Sequence, residues 1–202
     1  MKYILFVGGR VGYEALKILC PLIGIHHVFL EEEHAHEQTR YSQDILSLCE
    51  QHQIPCTQKL DEKSILDVCM ASAPDYLMCF GYRRMIREKV CACAKIACIG
   101  SHFAPLPAYR GFAPLNWVLI NGESKTAVNI FFLADKVDAG DIIAREWVDI
   151  ELEDDINTLT DKCILALGPA LQRAVIALES GRPQGEKQDE TKATYTCARN
   201  PD

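Results

Sequence analysis

The chain has 202 residues and a formal net charge of −7, and 49% of its residues are hydrophobic. The acidic balance argues against non-specific binding to nucleic acid, which depends on a basic face, and the apolar runs are too short to predict a membrane span. The ten cysteines are scattered through apolar stretches, as buried thiols in a reducing compartment are. The sequence therefore predicts one large domain with a full core, located in the cytoplasm.

In the first half of the chain, short apolar runs alternate with segments of helical spacing. Such alternation is typical of βαβ units with a parallel sheet. The predicted fold class is therefore α/β, with a Rossmann-like, doubly wound, mostly parallel sheet. The predicted strands cover residues 3–7, 25–30, 54–56, 76–80 and 95–99, and the predicted helices cover 12–19, 40–53 and 64–70, with a helical turn or two within 85–93.

The second half begins with a proline-rich loop and continues with a helix, two strands and a long amphipathic helix. We place the main domain at residues 1–181 and a polar extension or linker at 182–202, where residues 193–196 are expected to add an edge strand. The elements after the loop are a helix at 114–120, strands at 128–133 and 142–148, and a helix at 159–178.

A glycine cluster, Gly8-Gly9-Arg10-Val11-Gly12, follows the first predicted strand. Its spacing differs from the GxGxxG of dinucleotide-binding proteins, although Glu31 stands where a ribose-binding acid would. A nicotinamide-dependent dehydrogenase is therefore one alternative. The other is a helix N-terminus that binds a phosphate or nothing.

Two segments carry residue types that bind metals. Cys91, Cys93 and Cys98 lie close in sequence, but they form no CxxC pair and lack an obvious fourth ligand. The run EEEHAHE at residues 31–37 fits a solvated loop better than a metal site. We therefore expect no metal.

The loop IGSHFAPLPAYRG at residues 99–111 carries the strongest functional signal. Prolines restrict its backbone, which suits a loop that holds His102 in a fixed place. A second turn, Val137-Asp138-Ala139-Gly140-Asp141, supplies a carboxylate. A histidine and an aspartate suffice for general acid–base chemistry near neutral pH.

The motifs HFAPLPAYRG, NGE at 121–123, DAGDI at 138–142, and QDE with ATY near the C-terminus resemble the formyltransferase superfamily. The resemblance implies the fold of a formyltransferase N-terminal domain and 10-formyltetrahydrofolate as co-substrate. It implies formyl transfer to a small-molecule primary amine, with a nucleotide-linked amino sugar as the main expectation. The acidic charge and the short apolar runs predict no nucleic acid or membrane partner. A homodimer is also an expectation.

The resemblance also implies the roles of individual residues. His102 and Asp138 match catalytic positions, and Ser101 is the candidate for a third. Folate-binding positions correspond to Tyr82, Arg83, Arg84, Met85, Ile86, Asp135 and Val137. Substrate-binding positions are assigned to Gly9, Arg10, Pro105, Arg110 and Gly111, with a structural role as the alternative for Arg110.

The sequence departs from the family pattern at one catalytic position. The family has an asparagine two residues before the histidine, and this chain has Gly100. Transfer needs donors for an oxyanion, and the loss of one typically costs about a hundredfold to a thousandfold in rate. Ser101 and Asn129 are the candidate replacement donors. The open alternatives are a non-catalytic relative that binds folate or a sugar nucleotide, a hydrolase of the formyl donor, and an acceptor that is methionyl-tRNA or glycinamide ribonucleotide.

Overall fold

A computed structural model describes residues 1–33, 39–58, 60–181 and 183–198. The chain divides into two compact units, Met1–Gly100 and Ser101–Asp202, which are described in turn. The boundary that the sequence suggested at residue 181 remains a prediction.

The first unit alternates strands and helices, as predicted. The first and fourth of its strands are almost entirely buried, which explains their continuous apolar sequences. The strands are β1 (Tyr3–Gly8), β2 (Ile25–Glu31), β3 (Cys56–Thr57), β4 (Tyr76–Phe80) and β5 (Ala97–Phe103), and the helices are α1 (Gly9–Leu19), α2 (Ser42–Gln51), α3 (Glu62–Ser72) and α4 (Glu88–Cys91).

The strand order in this unit is β3-β2-β1-β4-β5, and every neighbouring pair is parallel. From β1 the chain adds β2 and β3 on one side of the sheet and then β4 and β5 on the other side. This change of direction at β1 is typical of a doubly wound sheet. Gly8 lies beside Glu31, and Val7 lies beside Phe80. The predicted Rossmann-like α/β class is confirmed.

Close backbone packing explains Gly12 after β1 and Gly81 after β4. A Cβ at Gly81, where φ is +63°, would lie 2.2 Å from the carbonyl oxygen of Gly8, and one at Gly12 would lie 2.9 Å from that of Phe80. The ends of β1 and β4 therefore approach each other more closely than any side chain permits. This packing accounts for Gly8 and Gly12 of the cluster without a bound dinucleotide.

The second unit contains the remaining elements. The hairpin of β7 (Lys125–Phe132) and β8 (Ile142–Asp149) is antiparallel, and the two short strands β6 (Arg110–Gly111) and β9 (Tyr195–Thr196) pair in parallel. Asp155 caps the long helix by accepting from the amide nitrogens of Asn157 and Thr158. The elements are β6 (Arg110–Gly111), α5 (Pro114–Ile120), β7 (Lys125–Phe132), β8 (Ile142–Asp149), α6 (Ile156–Glu179), a 3₁₀ turn (Glu190–Lys192) and β9 (Tyr195–Thr196).

One predicted boundary was wrong in a way that bears on the site. The strand predicted to end at Ile99 continues as β5 to Phe103, because Gly100 remains in the parallel ladder beside Cys79 and the Asn129 amide binds the backbone beyond it. The helical turn predicted within 85–93 is present as Glu88–Cys91. His102 therefore lies within a strand, and the loop begins after it.

Candidate active site

His102 and Asp138 form a mostly buried pair in the second unit. His102 is near the end of β5, and Asp138 lies in the turn between β7 and β8 with a φ of +52°. The imidazole Nδ1 is 3.4 Å from Asp138 Oδ2, and the same oxygen accepts a hydrogen bond from the Gly111 amide at 2.8 Å. The histidine–aspartate pair predicted from sequence is thus brought together.

The other ring nitrogen of His102 is fixed by the backbone. Its Nε2 lies 2.7 Å from the carbonyl oxygen of Tyr109. A carbonyl can only accept, so Nε2 carries a hydrogen and Nδ1 faces the carboxylate of Asp138. A proton that reaches this pair has two places to reside, on Nδ1 as imidazolium beside a carboxylate or on Asp138 as a carboxylic acid beside a neutral imidazole. This arrangement is suited to accepting a proton and passing it on.

Tyr109 is itself held on both its backbone and its side chain. Its amide donates to Thr194 Oγ1 at 2.9 Å, its hydroxyl donates to Glu123, and Asn121 Nδ2 donates to the hydroxyl at 3.0 Å. Burial, together with the bond to Glu123, raises the pKa of the Tyr109 phenol. The NGE motif at 121–123 therefore anchors the residue whose carbonyl orients His102.

Asn129 does not supply the replacement donor that the sequence suggested. Its side chain is fully buried in β7, and its Nδ2 donates to the carbonyls of His102 at 3.1 Å and Ala104 at 2.6 Å. Its Oδ1 accepts from Arg145 Nε at 2.8 Å. Because both amide hydrogens are used on the backbone, Asn129 fixes the strand that carries His102.

Ser101 lies between Gly100 and His102 within β5. Successive side chains in a strand point to opposite faces. Gly100 and His102 therefore share one face of β5, and Ser101 points to the other. The strand geometry thus opposes the prediction that Ser101 is a catalytic donor.

Three of the predicted substrate-binding residues belong to the second unit. Arg110 has no exposed surface, and its guanidinium binds Gln188, Glu190 and Tyr195. These contacts fit the structural alternative. The Gly111 amide is used by Asp138, and a Cβ there would lie 2.6 Å from the Thr196 carbonyl. Pro105 is partly buried.

The segment after α6 contributes residues that sequence reasoning did not assign to the site. Gln188 contacts both the Asp138 turn and Arg110, and Thr196 Oγ1 donates to the carbonyls of Arg110 and Phe112. The only sequence signal was the QDE and ATY motifs, which showed the resemblance but gave no role.

In the first unit, four of the predicted folate-binding residues line one pocket of about 390 Å³. This volume is in the range of small-molecule sites. Tyr82 packs edge-on against Phe6, and burial raises its pKa to about 12. The pocket is lined by Phe6, Leu60, Glu62, Ile65, Tyr82, Arg84, Met85, Ile86, Arg87 and Val90.

Arg83 does not line this pocket, and Glu31 explains why. The buried Glu31 carboxylate accepts from the Arg83 backbone amide at 2.7 Å and from Arg84 Nε at 3.1 Å, while the Arg83 side chain turns to the Glu32 carbonyl. Glu31 is therefore engaged with the loop after β4 and is not presented to a ribose, which weakens the dehydrogenase alternative.

The remaining predicted ligand-binding residues lie at the ends of elements. Gly9 and Arg10 begin α1, and a Cβ at Gly9 would have open space around it. Asp135 and Val137 are exposed in the turn between β7 and β8. The binding roles of all four residues stay predictions.

Two further properties concern only the described parts of the chain. There, no three His, Cys, Asp or Glu side chains are grouped so as to hold a metal ion. His34, His36 and Glu37, which the sequence raised as metal-like residues, lie outside the described residues. None of the described helices is long and apolar enough to cross a membrane.

The sequence matches known proteins over most of its length. The model of the formyl transferase family matches residues 25–175. The chain is 36% identical over 138 residues to a methionyl-tRNA formyltransferase from Bacillus licheniformis, covering 68% of this chain and 44% of that protein. It is 34% identical over 146 residues to the enzyme of the same name from Bacillus subtilis, covering 71% and 46%. The matched region thus spans less than half of each relative.

Solved structures with a similar fold include two with different acceptors. A phosphoribosylglycinamide formyltransferase from Bacillus halodurans superposes with a TM-score of 0.75 at 19% identity, covering 89% of this chain and 96% of that one. A sugar 3N-formyl transferase crystallised with dTDP and 5-N-formyl-THF superposes with a TM-score of 0.76 at 14% identity, covering 97% and 69%. These likenesses show the fold.

Proposed function

Because the chain belongs to the formyl transferase family, we propose that it transfers a formyl group from 10-formyltetrahydrofolate to a primary amine. The amine nitrogen forms a bond to the formyl carbon, the bond from that carbon to N10 breaks, and one proton moves from the amine to N10. The observation that carries the proposal is the close approach of His102 and Asp138, which stand at the two positions that resemble the family's catalytic histidine and aspartate.

The first-unit pocket provides the chemistry that a folate requires. Its walls are largely apolar, and two arginine side chains border it. Apolar walls suit a flat ring system, and guanidinium groups suit carboxylates. Tyr82, Arg84, Met85 and Ile86 would hold the co-substrate, which supplies the activated formyl group. Asp135 and Val137 remain proposed contacts.

The two members of the catalytic pair differ in access. The Asp138 side chain is 18% exposed and that of His102 is 8% exposed. The carboxylate is therefore the member placed to receive the proton of the amine. His102, fixed by the Tyr109 carbonyl, shares that proton through Nδ1 and keeps it near the site until it is returned.

For the acceptor, we propose methionyl-tRNA. The support is the similarity to methionyl-tRNA formyltransferases. These relatives give no support to the sequence-based exclusion of nucleic acid. The amino-sugar acceptor rests on the motif resemblance alone, since the sugar enzyme shares only the fold. The cytoplasmic location and the homodimer stay predictions.

The test is an acceptor panel with the purified chain. The protein is mixed with 10-formyltetrahydrofolate and, in separate reactions, methionyl-tRNA, glycinamide ribonucleotide, a dTDP-linked amino sugar, or no amine. Tetrahydrofolate release and the formylated product are both measured. Formyl-methionyl-tRNA that disappears in His102→Ala would support the proposal. Release without an amine would indicate hydrolysis, and folate binding without any release would indicate a non-catalytic relative.

A further inference from the structure

Gln188 connects the turn that carries Asp138 to the strand that carries Arg110. Its Nε2 donates to the carbonyl of Asp138 at 2.8 Å and to that of Gly140 at 2.7 Å. Its Oε1 accepts from Arg110 Nε at 3.2 Å and from Nη2 at 2.9 Å. One side chain amide therefore forms four contacts with two chain segments that flank the catalytic pair.

The nitrogen of this amide acts as a hydrogen-bond donor, and its oxygen acts as an acceptor. The Asp138 turn presents two carbonyl oxygens, which need donors, whereas the buried guanidinium of Arg110 needs an acceptor. A carboxylate at this place would satisfy Arg110 and repel the two carbonyls. An amide is the side chain group that meets both requirements, so its orientation is fixed by its partners.

The turn needs an external support because its backbone is unfavourable. Asp138 has a φ of +52°, a left-handed conformation that is unfavourable for a residue with a Cβ. Its Oδ2 is bound by the Gly111 amide, and its carbonyl is bound by Gln188. Gly111, whose amide binds Asp138, directly follows Arg110, which Gln188 also binds. Gln188 therefore contacts both the Asp138 turn and the strand at 110–111, and the distance from Asp138 to His102 depends on both segments.

We propose that Gln188 is a positioning residue that sets the place of Asp138 relative to His102. The catalytic consequence rests on the proposed function, but the placement does not. Gln188 does not touch the imidazole, and it acts through the backbone of residues 138–140 and through Arg110. A displacement of about 1 Å in such a pair is enough to cost about a hundredfold in rate.

The test uses Gln188→Glu, which keeps an acceptor for Arg110 and removes both donated bonds. The matched control is Gln172→Glu, the same change at an exposed position on α6. The imidazole ¹⁵N resonances of His102 are followed by NMR from pH 5 to 9 in the ligand-free protein. We expect the tautomer signature of His102 to change in Gln188→Glu and to stay as in the natural chain in Gln172→Glu.

Gln188→Asn, which retracts the amide by one methylene without adding charge, provides a second variant if the first does not fold. Unchanged His102 resonances in a folded Gln188→Glu or Gln188→Asn protein would overturn the proposal. With an active acceptor, we expect kcat to fall by about a hundredfold with KM for the folate unchanged. If the natural chain transfers no formyl group, the proposed function fails, while the NMR result still decides the role of Gln188.

Discussion

The carbonyl oxygen of Tyr109 lies 2.7 Å from Nε2 of His102, and the left-handed backbone of Tyr109, with a φ of +60°, aims it there. This contact occupies one ring nitrogen with a group that cannot give up or accept a proton. The second nitrogen is then directed at Asp138, so that the imidazole works through the carboxylate. The backbone therefore decides which ring nitrogen faces the carboxylate.

We expect Asp138→Asn to lower kcat for formyl transfer by about a hundredfold to ten thousandfold, the range typical of general acid–base groups. The amide retains the size of the carboxylate but cannot hold the proton shared with His102. The measurement is product formation under saturating folate and acceptor, with circular dichroism to verify the fold. Asp149→Asn, at an exposed aspartate at the end of β8, is the control. Equal activity of the two variants would contradict the assigned role.

The fold could be predicted from the sequence because the signals are local. Continuous apolar runs mark the buried parallel strands, and their alternation with helical segments indicates a doubly wound sheet. His102 and Asp138 were identified because each stands in a distinctive turn or loop motif.

The supports of the pair could not be predicted, because they depend on contacts between distant residues. Asn129 binds the carbonyl of a residue 27 positions away, and Gln188 reaches across 50 positions to Asp138. No local pattern distinguishes a buried amide that fixes a strand from one that faces a substrate. Arg110 illustrates the same limit, since its partners Gln188 and Tyr195 lie about eighty positions later.

Thr126 and Asn129 offer a contrast between an unsatisfied and a satisfied buried polar group in β7. Thr126 Oγ1 has no hydrogen-bond partner among the described residues. The hydroxyl loses its hydrogen bonds to water on folding without replacing them, and Thr126→Val removes it. We expect Thr126→Val to raise the free energy of unfolding by about 1 kcal/mol. Urea denaturation at pH 7 measures the change.

Asn129→Leu serves as the opposite case. It leaves two backbone carbonyls and Arg145 without their partner, so the free energy of unfolding should fall by more than about 2 kcal/mol. A loss of stability in Thr126→Val similar to that in Asn129→Leu would show that the threonine hydroxyl is satisfied in solution.

A comparison of Gly81 with Gly122 distinguishes the cost of backbone strain from the cost of steric overlap. Their φ angles are +63° and +67°, but only at Gly81 would a Cβ meet another atom, the Gly8 carbonyl oxygen at 2.2 Å. Gly122→Ala should therefore cost only the strain of a left-handed residue, about 1 to 2 kcal/mol. Gly81→Ala should lower the free energy of unfolding by more than about 4 kcal/mol, so that most molecules fail to fold. Similar melting temperatures would contradict the close approach of β1 and β4.

Glu190 links the stability of the C-terminal segment to pH. The hydrogen bond from Arg110, 2.6 Å away, holds the pKa of the Glu190 carboxyl below its usual value of 4.5. The unfolded chain then binds this proton at a higher pH than the folded chain, so the stabilising contribution is complete above about 4.5 and disappears as the pH falls through the lowered pKa. Glu190→Gln lacks the contribution at every pH. We therefore expect the stability difference between the two proteins, measured by urea denaturation, to be largest near neutral pH and to vanish in acid. A difference that stays constant as the pH falls would show that the charge of Glu190 does not hold Arg110.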